Sequence, residues 1–274
     1  MYSPSDGARL DRLLFNEVDL LTVEPKLFSP PVADYGVYES RPVYGYDDCF
    51  PSVSECPYPG MDWIVPDHGE VCWLPWEVVE KESGLEFWVK SRELPLTLKR
   101  KLVFSKNKLT WHFEVANTGN KTLPFQHIIH PLMPLNEVVG LQVPGFKAVF
   151  DDINELNLNL NTPIELEKYL LEQPKGTANM LFLQNIKEGR LKLKFKTGIT
   201  LEVQFSKALF PSIGIWWNNN GYPNEYGLRR NECAFEPVSG SNSSLEDAYK
   251  ESSCLSLPPG KKLNWNIEWK INHS

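Results

Sequence analysis

Near the C-terminus five apolar side chains alternate with polar ones over nine residues: Leu263, Trp265, Ile267, Trp269 and Ile271. A period of two puts one face of an extended strand in a core and the other in water. The same pattern returns in Leu109, Trp111, Phe113 and Val115, preceded by a second run from Leu98 to Phe104. Residues 105–108, Ser-Lys-Asn-Lys, join the two runs as a hairpin turn. Leu191, Leu193 and Phe195 alternate as well, and Thr197-Gly198 turns the chain into Ile199, Leu201, Val203 and Phe205. Near the start, Ala8 to Leu14 and Val18 to Val23 flank Asn16-Glu17, which reads as a third hairpin.

Helical periodicity is weak by comparison. Short helical turns are expected between Val138 and Leu171, for example from Ile164 to Leu171. No repeat of fixed period occurs. Hairpins run from end to end without a break in composition, and Pro-rich loops such as Pro30-Pro31 and Pro258-Pro259-Gly260 punctuate them. One continuous antiparallel system, a single domain over residues 1–274, is therefore expected. So many strands must close into a sandwich or a barrel to manage their edges. The pattern does not choose between the two.

A chain of 274 residues can bury a core without staples. The five cysteines, Cys49, Cys56, Cys72, Cys233 and Cys254, are odd in number and form no CxxC pair. This argues against a disulfide framework and a zinc site, and for free thiols in a reducing cytoplasm. Residues 1–6 lack the charged start and apolar run of a signal peptide. No stretch approaches the length of a membrane-spanning helix. The net charge of −7 repels nucleic acid unless basic groups are concentrated. Lys99-Arg100-Lys101 is the best such cluster, and we read it as a solvated strand end. Nine Trp, ten Tyr and fourteen Phe suit strands. They also suit sugar binding, because flat rings cover the apolar C–H faces of a pyranose.

Four segments look unlike ordinary strand or turn: residues 41–52, 66–76, 124–131 and 231–238, the last preceded by Ile215-Trp216-Trp217-Asn218. Together they hold three of the five histidines. A carboxylate and an imidazole brought together by the fold can take and give a proton. Strand parity in Cys233-Ala234-Phe235-Glu236 puts Ala234 and Glu236 on one face and Cys233 and Phe235 on the other. His127 and His130 differ by three, so a regular strand points them to opposite faces and at most one reaches a ligand groove. Each feature has a plainer reading. His68-Gly69 also reads as a turn and His130-Pro131 as a strand end. Arg41 also reads as an ion-pair partner of Asp47 or Asp48. A buried Glu236 should be either paired or functional.

In these four segments the chain resembles the aldose 1-epimerase (galactose mutarotase-like) family, in order and from about Gly7 to Lys270. Gly7 to Leu13 with Asp19-Leu20-Leu21 resembles the family's first hairpin. Asp67-His68-Gly69-Glu70 is similar to its HG motif, and His130-Pro131 to its HP motif. Phe235-Glu236-Pro237 is similar to its late EP motif, and residues 257–260 with the last strand resemble its ending. Tyr44-Gly45 stands where the family has Gly-Gly, and Leu132-Met133 follow the HP motif in place of aromatics.

The resemblance implies an all-β antiparallel β-supersandwich with a sugar lying across an open groove. It implies Glu236 as general base and His130 as general acid, close enough together to flank one pyranose ring. It implies that Arg41 and His68 hold sugar oxygens, together with an acidic residue for which Asp47, Asp151 and Asp152 are the candidates. The expected ligand is a monosaccharide, with no metal or organic cofactor, no nucleic acid and no membrane, and with the protein a monomer or homodimer. The expected reaction interconverts the α and β anomers of a hexose by acid–base ring opening. A non-catalytic sugar-binding protein and a sugar-phosphate epimerase are the alternatives on the same fold.

Overall fold

The computed structural model describes residues 1–26, 34–223 and 229–273. The Pro30-Pro31 loop lies outside them. Among the described residues the architecture is antiparallel β, built around one eight-stranded and one six-stranded sheet.

In the eight-stranded sheet the long hairpin Leu96–Ser105 with Lys108–Asn117 lies at the centre, and the last strand, Lys262–His273, pairs with its second arm. The turn between the arms shortens to Lys106-Asn107. The Arg190–Phe195 and Ile199–Phe205 hairpin continues the sheet on the other side of the last strand. The alternating side chains behave as their period requires: Trp111, Phe113, Trp265, Ile267 and Trp269 are all buried.

The six-stranded sheet runs Met133–Pro134, Asn231–Val238, Ser212–Asn219, Thr177–Gln184, Ala148–Asp151, Leu156–Leu158. Its Leu181, Ile213, Ile215, Cys233 and Phe235 join Trp111 and Trp269 in one continuous apolar core. A smaller sheet contributes to that core through Leu10, Tyr46 and Ile129; its strands are Tyr2–Ser3, Arg9–Leu10, Tyr46–Cys49 and Ile128–Pro131. Parity then sends Asp47, Cys49, Ile128 and His130 to the side away from the main core. Gly214, Trp216, Ala234 and Glu236 are turned the same way by the same rule, and the pocket forms there.

The helix Pro163–Leu171 falls where helical turns were expected. Thr162 caps it, its side chain accepting from the Glu165 amide while Glu165 reaches back to Thr162. No described helix is long and apolar enough to cross a membrane.

Two expectations need correction. The N-terminal hairpin is only Leu14–Phe15 with Val18–Asp19, turning at Asn16-Glu17, both at positive φ. The preceding Arg9–Leu10 is claimed instead by Tyr2–Ser3 and Tyr46. Second, Lys99-Arg100-Lys101 is mid-strand, and Arg100 is fully buried. Its guanidinium bonds to Asp48 and to the Ala8 carbonyl and lies 4.4 Å from the Phe87 ring centre. Asp48 also accepts from His127 Nε2 at 2.9 Å. Burial alone would raise the Asp48 pKa, but Arg100 and His127 hold it below the usual carboxylate range. Removing one member of such a buried network costs ~3–5 kcal/mol, because the other charge is left without a partner. His127 thus faces the core, packed against Phe113 and Trp265.

Candidate active site

His130 lies on Ile128–Pro131, opposite Asp47. Glu236 lies on Asn231–Val238, opposite Gly214. The two side chains meet directly: His130 Nδ1 is 2.5 Å from Glu236 Oε1. No ring-wide gap separates them. The carboxylate has room because Gly214 has no side chain. A Cβ there would come 3.2 Å from Glu236 Oε2 and 3.0 Å from Met180. Burial disfavours a charged His130, but the negative charge and hydrogen bond of Glu236 outweigh it, with smaller help from Glu232 and Asp47. The His130 pKa is therefore raised.

His68 enters from the turn at residues 66–69. Gly69 sits at φ +74°, and a Cβ there would fall 2.2 Å from the Phe50 carbonyl oxygen. Gly69 is thus required sterically: only glycine lets this turn close against Phe50, at the end of the Tyr46–Cys49 strand. His68 is itself at positive φ, with Nδ1 2.9 Å from Asp67 Oδ1. Tyr38 stacks flat on its ring at 3.7 Å, and its hydroxyl donates to Asp47 at 2.7 Å. The His68 and His130 rings are 5.2 Å apart.

These residues line a pocket of about 230 Å³ with Glu39, Asp67, Asp152, Met180, Trp216, Tyr222, Arg230 and Ser243 among its walls. That is below the ~300–1,000 Å³ of sites for drug-sized ligands, and so suits one small ring better than a chain of them. Asp152 accepts from Ser243 at 2.6 Å, and burial raises its pKa. Trp216 is fixed by its indole N–H to Glu232 at 3.1 Å. Arg230 is held by both oxygens of Glu39 (2.5 and 2.9 Å) and by Glu232 (2.7 Å).

Of the residues singled out from sequence, His68, His130 and Glu236 converge on the pocket. Arg41 and Asp47 do not line it. Arg41 is 4% exposed; it donates to the Cys72 carbonyl at 2.6 Å and pairs with Asp6 at 2.8 Å. Asp47 is 1% exposed and lies between Arg9, Arg41 and Tyr38. Their opposite charges face each other beneath Tyr38, with Arg41 3.7 Å from Asp47, and neither residue is among the pocket's walls. Of the three acidic candidates Asp152 alone reaches the pocket, while Asp151 is spent on Asn154 and Asn179. Tyr38, Met180 and Trp216 carried no chemical motif. Strand parity from Glu236 through its neighbours could have found Trp216.

A galactose mutarotase-like protein of Lactobacillus casei superposes with a TM-score of 0.69 at 17% identity, over 98% of this chain and 95% of its own. The chain has the galactose mutarotase-like fold. The counterpart from Clostridium acetobutylicum matches with TM-score 0.70 at 14% identity, covering 100% of this chain and 92% of that one. The Slr1438 protein of Synechocystis sp. PCC 6803 matches with TM-score 0.73 at 15% identity, covering 100% and 91%. No protein-family model and no curated protein matches the sequence.

Proposed function

We propose that this galactose mutarotase-like protein binds a free aldose over the His130–Glu236 pair and interconverts its anomers. The observation that carries the reading is the pair itself. A carboxylate and an imidazole with a raised pKa are in contact at the wall of a pocket of one-sugar size.

The chemistry uses the two groups as base and acid. Glu236 takes the proton of the C1 hydroxyl. His130 gives a proton to the ring oxygen, and the C1–O5 bond breaks. The open-chain aldehyde turns about C1–C2, and the ring closes on its other face by the reverse transfers. Because the pair is in contact, the proton gained by Glu236 can return to His130 without leaving the site. Trp216 offers a flat surface for the sugar's C–H face, and Asp152 and His68 offer polar atoms for its hydroxyls.

A free sugar fits better than a sugar phosphate. Among the described lining residues Arg230 is the one Arg or Lys, and Glu39 and Glu232 already neutralise it. Glu39, Asp67, Asp152 and Glu236 make the rest of the lining acidic, which repels a phosphate. We also propose a reducing, cytoplasm-like compartment, for which the five free cysteines are the support.

Polarimetry tests it. Fresh α-glucose and α-galactose should approach equilibrium faster with the protein than without, at a pH where spontaneous mutarotation is slow. Binding without acceleration would make it a sugar-binding protein on this fold, and acceleration of sugar phosphates alone would overturn the free-sugar assignment.

A further inference from the structure

A third donor, Cys49, lies buried next to His68 and His130, outside the pocket lining. On the Tyr46–Cys49 strand, Cys49 opposes Ile128, two residues before His130, so its thiol shares a face with the imidazole. The bridge between Phe50 and Gly69 brings the His68 turn to the end of that strand. One ligand atom from each of Cys49, His68 and His130 lies within 4.8 Å of the other two. Thiolate and imidazole are the donors that zinc prefers, at about 2.3 and 2.0–2.1 Å from the metal. Such bonds place ligand atoms about 3.3–3.8 Å apart, so closing the set asks for about 1 Å of side-chain movement.

The surroundings match as well. A metal-binding histidine usually gives its other ring nitrogen to a carboxylate, which fixes its tautomer and orientation. Both histidines have that partner through Nδ1: Asp67 for His68 and Glu236 for His130. Cys49 is fully buried beneath them, whereas His68 keeps 18% of its side chain exposed to the pocket. That leaves a path for an ion to enter and a fourth position open toward the pocket. Sequence spacing gives no sign of this set, because its members lie at 49, 68 and 130 with no short-range pair.

We propose that Cys49, His68 and His130 form a binding site for a zinc-class divalent cation that shares the sugar pocket. The thiol proton of Cys49 and the Nε2 proton of a charged His130 leave to solvent as the sulfur–metal and nitrogen–metal bonds form. With the ion in place the His130 ring is committed to the metal and the pocket floor is filled. Binding therefore excludes sugar and stops proton delivery. The inhibitory half rests on the anomer chemistry proposed above; the binding half does not.

The test is titration of the full chain with zinc chloride, followed by calorimetry and by equilibrium dialysis. One zinc per chain is expected. Cys49→Ser should remove most of that affinity, and Asp67→Asn should weaken it by ~10–100-fold, the usual cost of losing a carboxylate behind a histidine ligand. Cobalt(II) on the wild-type chain gives a second readout that needs no variant to fold: a near-ultraviolet thiolate-to-metal band, lost on adding zinc. No stoichiometric zinc, equal binding by a folded Cys49→Ser, or cobalt binding without the thiolate band would each overturn the site. If the wild type accelerates mutarotation, zinc should inhibit it, and Cys49→Ser should keep its rate and resist inhibition. If the wild type does not, the anomer proposal fails while zinc binding still decides the site.

Discussion

Glu236 and His130 belong to different sheets and stand 106 positions apart, yet Oε1 and Nδ1 are 2.5 Å from each other. Each strand turns its residue away from the main core, and the Ile128–Pro131 strand packs against Asn231–Val238, so the carboxylate and the imidazole form one unit. A unit of this kind has a testable signature: loss of one member changes the behaviour of the other.

Glu236→Gln keeps the size of the side chain and removes its basic oxygen. A positioned general base typically contributes ~10²–10⁴-fold, and mutarotation should fall by that order. Sugar affinity should change by less than about tenfold, or ~1.4 kcal/mol, because the amide can still contact the C1 hydroxyl. Saturation kinetics separate the two, and unchanged turnover eliminates Glu236 as the base.

The same substitution should move the His130 titration. In the wild type its NMR midpoint should lie above the ~6.5 of an unperturbed histidine. In Glu236→Gln it should fall, since burial then acts without the charge that opposes it. The sign for stability follows. A pKa raised on folding adds stability that is fully present below pH ~6.5 and is lost as pH rises through the folded value. Wild type and Glu236→Gln should therefore differ most in unfolding free energy on the acid side and converge as pH rises. A gap that widens with pH would contradict the pairing.

Arg41→Ala should lower stability and leave sugar affinity unaltered. The guanidinium holds the Cys72 carbonyl and Asp6 and lies outside the pocket. Hydrogen bonds to charged groups are worth about 1.5–3 kcal/mol, which denaturant unfolding resolves. Weaker sugar binding by a fully folded Arg41→Ala would restore this residue to the site.

Strand positions were legible because the pattern that marks a half-buried strand is local: Leu263 to Ile271 carries its own answer. Glu236 was legible for the same reason, parity within one strand. Arg100 and Arg41 were not. Whether a charged residue on a strand meets water or a buried partner depends on what the rest of the chain places opposite it. Arg100 finds Asp48, 52 residues away, and Arg41 finds the backbone of Cys72. The N-terminal hairpin was overextended because Leu10 has two claimants, the local turn and Tyr46, and alternation does not record the second. The gap expected between acid and base failed for a related reason. Motif order brings two residues to one site but says nothing of the space that Gly214 leaves for Glu236 to reach His130.

Trp216 is the sharpest test of which surface meets the sugar. It alternates out of the core on Ser212–Asn219, between Ile215 and Trp217, which are buried. Its neighbours at the pocket are the apolar Met180 and the acid Glu236. A sugar whose polar edge faces His130 and Glu236 would have its C–H face left to cover, and Trp216 is a large flat side chain that can cover it. Trp216→Ala should therefore raise KM by about tenfold, equivalent to ~1.4 kcal/mol, with kcat changed far less, because the proton-transfer pair is untouched. Trp216→Phe should recover most of the affinity: it keeps a ring and loses the indole bond to Glu232. If Phe proves as poor as Ala, the bond to Glu232 matters rather than the ring. If kcat falls with KM unchanged, Trp216 orients the reacting pair and the sugar rests elsewhere.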